Sequence, residues 1–471
     1  MDNQTKKKAS FTGTIGFVLA AAGSAVGLGN IWRFPYLAAQ NGGGLFILIY
    51  ILLALTCGFV LLITDIAIGR KTGKSALEAF GAASSKFKFL GALSTIVPTL
   101  ILAYYAVIGG WILKYMVDYF TGQGAQAATD GYFGAFLASP VSPIVYTLIF
   151  LAATALIVYK GVEKGIEKFS KIIMPGLILL IIGIAVFSVT RSYTDPVTGV
   201  TRTGFEGMYQ YFVPNFDGMT VSHFFKIVMD AMCQLFYSLS VAMGIMITYG
   251  SYVKKETSLT KSVIQIEAFD SGVAILAGLM IIPAAFVFTG SVDAGAGPGL
   301  IFVALPKIFE AMGVVGHIAG AVFFVMVVFA ALTSCISLME TVVAGCMTLF
   351  KKSRKQVSWI AFVAFAAMGV VVCFGYNLIT FRMPLPPSFA VDATTGTILD
   401  ILDFFCNYIM LPIISLGTCI MIGWVKKPQW IISEIEEGGK HFKAKAMYSI
   451  IIRYVAPVIV IIMLFKATGK F

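Results

Sequence analysis

Charge is what this chain has least of: Asp, Glu, Lys and Arg make up 12% of its 471 residues, against 58% for the hydrophobic types. A soluble domain of that length carries about twice that share of charge on its surface, so the soluble globular class is excluded. Histidine is scarcer still. His223, His317 and His441 lie near the ends of apolar runs without paired spacing, which leaves neither metal ligands nor a nucleophile and base for an intramembrane enzyme. The seven cysteines (Cys57, Cys233, Cys335, Cys346, Cys373, Cys406 and Cys419) all fall inside apolar runs. They suggest neither a disulfide framework nor zinc and read as small packing residues. Short alternating segments of the kind that build a membrane β-barrel are missing, and so is any P-loop.

What is there is apolar and long. Mean hydropathy is +0.90, and charge-poor runs recur near the roughly 20 residues that cross a bilayer as a helix. Eleven transmembrane helices are predicted, at about 13–38, 44–70, 90–120, 142–160, 166–190, 222–250, 262–290, 317–349, 357–378, 398–425 and 446–466. The class is all-α integral membrane, in a single domain over 1–471. The first run outlasts a signal peptide and lacks a cleavage pattern, so it reads as a mature helix. With the N-terminus cytoplasmic, inner segments hold 24 of the 34 basic residues and outer segments six. That asymmetry is the positive-inside rule. The net charge of +11 therefore reports topology and membrane lipid as neighbour, with no nucleic acid as partner. The stretch 298–312 is too short to span and reads as short helices over the outer face, a candidate lid.

Two long apolar segments are interrupted by small residues. The first reads Ala22-Gly23-Ser24-Ala25-Val26-Gly27-Leu28-Gly29-Asn30, and the second Ser238-Leu239-Ser240-Val241-Ala242-Met243-Gly244. Glycine weakens a helix and serine competes for its backbone bonds. Unwound backbone at membrane depth is tolerated only where protein buries it or a cavity meets it. Matched breaks five spans apart predict a 5+5 inverted repeat with helices one and six unwound at the binding site, its halves at about 13–190 and 222–425 and an extra helix at 446–466. The plainer alternative is that the glycines only allow close helix packing.

The segment from Gly16 to Gly44 resembles the first helix of the neurotransmitter:sodium symporters, on the bacterial leucine-transporter-like side. The likeness continues through Ile68-Gly69-Arg70, Tyr104-Tyr105, Thr248-Tyr249-Gly250-Ser251-Tyr252 and Ala330-Ala331-Leu332-Thr333-Ser334. Eleven spans is a pattern of bacterial members and puts the C-terminus outside. The paired cysteines of eukaryotic members in the second outer loop are absent.

The resemblance implies two sodium sites, built from the five or six or so hard oxygen ligands such a cation prefers. One would use Ala25, Asn30, Ser238 and Asp270 with the substrate's own carboxylate. The other would use Gly23, Val26, Ala330, Thr333 and Ser334, none of them charged. The substrate carboxylate would meet the Leu28 and Gly29 amides at a half-helix N-terminus and the Tyr105 hydroxyl. Its ammonium would face carbonyls near Ser24, Tyr237 and Ser240. Its side chain would lie among Ile101, Tyr237, Met243, Ser334 and Leu338, with Ser238 close by. Gly27 stands where monoamine carriers have an aspartate, which argues for α-amino acids. The lining favours a hydrophobic or aromatic neutral amino acid, and Ala242 leaves alanine-sized substrates as the alternative.

Asp270 is expensive deep in an apolar span unless paired, so a cationic partner is expected; the alternative places it at a helix end facing water. A fixed carboxylate there, aided by Gln234, implies transport independent of chloride. Arg33 and Asp403 would pair as the outer gate above Tyr105 and Tyr237, unless Arg33 snorkels to headgroups. At the inner gate Lys8, Ser251 and Tyr252 are candidates, Phe11 replaces a usual Trp, and Thr348 stands where an acid is common. A closure weaker or differently built is expected there.

Together these features predict a sodium-coupled importer of neutral amino acids in a bacterial inner membrane, monomeric or weakly dimeric. A non-transporting amino-acid sensor on the same scaffold is the alternative. The driving force suffices. One charge crossing 100 mV yields about 2.3 kcal/mol and a tenfold gradient about 1.4 kcal/mol. Two sodium ions thus supply roughly 7 kcal/mol, a ceiling of about 10⁵-fold accumulation.

Overall fold

A computed structural model describes residues 10–195, 199–216, 219–291, 297–379, 381–386, 395–437 and 439–466. In lipid every backbone polar group must find its partner within the protein, which leaves helices as the economical solution for an apolar chain. The helices are α1 (Thr14–Ala25), α2 (Gly29–Gln40), α3 (Gly44–Thr72), α4 (Ser85–Phe120), α5 (Ser142–Tyr159) and α6 (Val162–Val189). They continue as α7 (Val221–Ser238) and α8 (Ile245–Gly250). Then come α9 (Leu259–Thr289), α10 (Gly313–Phe350), α11 (Arg354–Phe374), α12 (Ile398–Val425) and α13 (Lys445–Phe465).

Among the described residues, nine helices are long and apolar enough to cross a membrane, and α1 with α2, bent by 54°, makes ten. The remaining expected span, the sixth at 222–250, is split into α7 and α8 by residues 239–244. Neither half is a spanning helix by itself, so the expected count of eleven is not reproduced by length and composition. The interruptions themselves fall where the small residues stand.

Burial separates centre from periphery. The apolar windows of α4 and α10 are 78% and 83% buried inside the protein, whereas those of α5, α11 and α13 are 39%, 39% and 33%. Helix α10 packs along α4, and α1 lies against α6, α9 and α10. Helices α3 and α8 meet backbone to backbone. A Cβ on Gly69 would fall 1.8 Å from the Ile247 carbonyl oxygen, and one on Gly250 would fall 2.3 Å from that of Ile66. Glycine is required at both.

Between α6 and α7, a hairpin of β1 (Ser192–Thr194) and β2 (Thr201–Thr203) pairs antiparallel. A helix over Gly204–Phe212 follows, opened by a capping box between Thr203 and Glu206. The expected lid region forms a turn over Leu300–Ala304 and a helix over Leu305–Ala311. Tyr115 holds it by donating to the Phe302 carbonyl at 2.8 Å. Six of the cysteines are buried, Cys346 is partly so, and none is bonded to another.

Candidate functional site

Helix α1 stops at Ala25 because Val26 turns extended, with φ −73° and ψ 99°. The last carbonyls of α1 lose their helical partners there, and the first amides of α2 lose theirs. Two side chains serve that gap. Asn30 Oδ1 accepts from the Gly27 amide at 3.2 Å, and Tyr105 Oη accepts from the Leu28 amide at 3.1 Å. Gly27 is confined: a Cβ would lie 2.8 Å from Ser334 Oγ and 3.0 Å from Tyr105 Oη. A side chain at that position, a carboxylate included, would require Ser334 and Tyr105 to move aside.

The second break is strained in a complementary way. Ser240, Ala242 and Gly244 have φ of 53°, 63° and 72°, in the left-handed region that is unfavourable for all but glycine. The buried Asp65 of α3 secures the segment by accepting the Ala242 amide on Oδ2 at 3.0 Å.

Between the breaks sits Asp270, fully buried and well inside α9. Its Oδ1 accepts from Ser238 Oγ at 2.5 Å and from Asn30 Nδ2 at 2.8 Å, and its Oδ2 accepts from Tyr50 at 3.0 Å. Asn30 also reaches the Asp270 carbonyl, and Gln234 donates to the Gly29 carbonyl at 3.1 Å. One expectation is corrected here and one alternative is set aside. Asp270 does not face water at a helix end, and among the described residues no basic side chain pairs with it. Three neutral donors solvate the carboxylate instead, and its charge is left uncompensated by the protein.

The other group of expected sodium ligands also converges. A Cβ on Gly23 would approach Thr333 to 3.2 Å, so the end of α1 rests on α10 there. Thr333 Oγ1 donates to the Ala330 carbonyl at 3.0 Å, and Ser334 Oγ donates to the Ser24 carbonyl at 3.3 Å. Helix-terminal carbonyls and hydroxyls are hard, neutral donors, a set that suits a monovalent hard cation.

Beside both groups lies a cavity of about 30 Å³. Ser24, Gly29, Ile101, Tyr105, Tyr237, Ser238, Ser240, Met243, Ser334 and Leu338 line it, as do Ala25 and Asn30. Leu28 does not; its amide is turned to Tyr105. Ser337 and Ile245 also line it and were not anticipated. Ser337 was within reach of sequence reasoning, because it stands one turn after Ser334 on α10 and shares its face.

The outer pair departs from expectation. Arg33 donates to Tyr408 Oη at 3.1 Å with the guanidinium 5.8 Å from that ring's centre. Asp403 accepts instead from Tyr104 at 2.8 Å and from Asn407 at 2.6 Å. Arg33 and Asp403 are not within ion-pair distance, since each finds a nearer neutral partner.

Lys8 lies outside the described residues. Ser251 bonds only locally, to the Thr248 carbonyl at 2.6 Å, and Thr348 reaches only its own helix. Tyr252 does more, donating to Glu340 Oε1 at 2.7 Å. The fully buried Glu340 of α10 also takes both guanidinium nitrogens of Arg354, at 2.5 and 2.9 Å. Ahead of α1, the Phe11 amide donates to the Tyr252 carbonyl at 3.1 Å and its ring packs on Phe17, Tyr249 and Tyr252. The Thr12 amide donates to Glu167 of α6 at 2.8 Å. The contacts at this end of the protein centre on Glu340 and Glu167. Sequence reading missed both, though Glu340 carries the same signal as Asp270, an acid inside an apolar span.

Two broken helices with a buried carboxylate and a cavity beside the breaks point to a polytopic carrier. The sodium:neurotransmitter symporter family model matches residues 8–131 and 143–471, and the chain belongs to that family of transporters. It is 33% identical to the uncharacterized sodium-dependent transporter YhdH of Bacillus subtilis, over 98% of each chain. The sodium- and chloride-dependent GABA transporter 2 of Bos taurus is 26% identical, over 72% of this chain and 63% of its own. Among solved structures, the crystal structure of MhsT in complex with L-phenylalanine superimposes with a TM-score of 0.83. That match is at 33% identity over 98% of this chain and 99% of MhsT.

Proposed function

We propose that this chain imports neutral L-amino acids together with two sodium ions by alternating access, without a need for chloride. The observation that carries the reading is Asp270: a buried carboxylate with three neutral donors and no basic partner. A sodium ion at Ala25, Asn30, Ser238 and Asp270 supplies the missing positive charge, and the fixed carboxylate supplies the negative charge that a neutral site would otherwise obtain by adding an anion such as chloride. A second ion at Gly23, Val26, Ala330, Thr333 and Ser334 is held by dipoles alone and tethers α1 to α10.

The substrate carboxylate takes the place that Tyr105 Oη now fills at the Leu28 amide, and it shares the first ion. Ion and amino acid then complete each other's site, which is the basis of coupling. The ammonium faces the carbonyls near Ser24 and Tyr237 and the Ser240 hydroxyl. Gly27, where a side chain would displace Ser334 and Tyr105, supports a substrate that brings its own carboxylate. Tyr105 and Tyr237 cover the site, Arg33 and Asp403 draw together as the outer side closes, and Glu340, Arg354 and Tyr252 hold the inner side. The protein sits in a bacterial inner membrane with its N-terminus cytoplasmic and its C-terminus outside, as monomer or weak dimer, and its two halves are inverted repeats over about 13–190 and 222–425.

The L-phenylalanine in the MhsT crystal supports a hydrophobic or aromatic substrate; the cavity of about 30 Å³ supports an alanine-sized one. Reconstituted into liposomes, the protein is expected to accumulate labelled neutral amino acid only under an inward sodium gradient, equally with chloride or gluconate. Sodium-dependent binding without accumulation would favour the sensor reading and overturn transport.

A further inference from the structure

The cavity beside the two breaks has two unlike walls. Ile101, Met243 and Leu338 form one, without a strong hydrogen-bonding group. The other is a cluster of hydroxyls. Ser24 Oγ lies 2.7 Å from Ser337 Oγ and 3.2 Å from Ser240 Oγ. Each serine hydroxyl offers one proton and two lone pairs, so the cluster can be counted out. Ser240 and Ser334 donate to the Ser24 carbonyl, both at 3.3 Å, and Ser337 donates to the Ser334 carbonyl at 2.8 Å. The remaining proton, on Ser24, goes to one of its two neighbours. All the protons are then committed, while lone pairs on Ser240 and Ser337 stay open in residues 3% and 0% exposed. This wall is short of donors.

Space is the second constraint. A volume of about 30 Å³ corresponds to roughly two or three water-sized units. No whole amino acid fits that volume as it stands, so entry moves the lining for any substrate. A branched or aromatic side chain demands the larger displacement, of Met243 or Leu338 in a close-packed core.

We propose that the pocket takes small neutral α-amino acids bearing a hydroxyl, L-serine foremost, and that Ser337 determines this specificity by accepting the substrate's side-chain hydroxyl. This rests on the amino-acid reading given above. The ammonium claims Ser240, and Ser337 is left for the side chain. A hydroxyl donor fills its open lone pair, whereas an alanine methyl leaves that oxygen buried against carbon, the situation in which hydrogen-bonding sites discriminate best. L-Alanine therefore follows L-serine, and L-leucine and L-phenylalanine follow at a distance.

The full-length protein in detergent tests this by thermal stabilisation, titrated with L-serine, L-alanine, L-leucine and L-phenylalanine in turn, in sodium and in potassium. L-Serine is expected to half-saturate at a concentration at least about tenfold below that of L-leucine or L-phenylalanine. Ser337→Ala is expected to shrink the serine-over-alanine preference about fivefold, a ratio that general loss of stability would not move. Should that variant fail to fold, Ser337→Cys, with its weaker acceptor, gives the same ratio. Tighter binding of L-leucine or L-phenylalanine than of L-serine overturns the size assignment. An unchanged ratio overturns the role of Ser337. If no amino acid stabilises the protein in sodium, the broader amino-acid reading has failed and this one falls with it.

Discussion

Asp270 shows how much one side chain can settle. Its carboxylate is solvated by Ser238, Asn30 and Tyr50, so removing the charge leaves those donors in place while taking away what attracts a cation. Asp270→Asn is expected to lower sodium-driven uptake by at least about tenfold, the effect of one buried charged hydrogen-bond partner. It is also expected to make the residual uptake rise with chloride; wild-type uptake in that variant would refute the assignment. Glu340 invites a matching experiment at the cytoplasmic side. Glu340→Gln keeps the shape but unpairs Arg354, so the inner side should open more readily, and a cysteine introduced at Ser24 should then label faster from within. The sequence made Asp270 legible because an acid in an apolar run is costly wherever it lies. It did not reveal that Arg33 and Asp403 would each choose a tyrosine, since side chains that distant in the chain meet only where α12 comes up against α2 and α4.

At the scale of elements, both interruptions could be read from runs of small residues, yet their consequences differ. The first is closed by side chains from α4 and α2 itself, Tyr105 and Asn30. The second is closed by α3 through Asp65. Helix α3 also presses against α8 at Gly69 and Gly250. Gly69→Ala is expected to lose more than about 3 kcal/mol or to give no folded protein, because a methyl group would overlap backbone that cannot move aside. Thermal unfolding in detergent measures this, and a midpoint near wild type would contradict the packing. The boundaries of the sixth span were the least legible feature, because a segment that unwinds keeps the composition of one that does not.

For the molecule as a whole, the end of the protein at the last turn of α3 is tied together by a buried ion pair, Arg70 with Glu434 at 2.7 Å, their side chains 1% and 2% exposed. Lys255 joins the same carboxylate at 2.8 Å, and Arg70 reaches the Thr257 carbonyl at 2.7 Å. Glu434→Gln strips compensation from a buried guanidinium and should destabilise the protein by about 3–5 kcal/mol. A double variant, Arg70→Met with Glu434→Gln, should recover much of that loss, and equal loss in both would show that the uncompensated guanidinium is not its source. The membrane class followed from scarce charge, which reports the solvent around the protein, and the uneven placement of that charge carries the expected orientation. This ion pair did not, because it joins residues 364 positions apart.

The paired glycines of α3 and α8 bear on how such a carrier can move at all. Two helices whose main chains touch, with no side chains interleaved to act as rollers, have neither room to slide nor slack to part, so they travel as one strut. Whatever rocking exposes the cargo to the cytoplasm must therefore bend at residues 26–28 and 239–244, the joints at either end of the load.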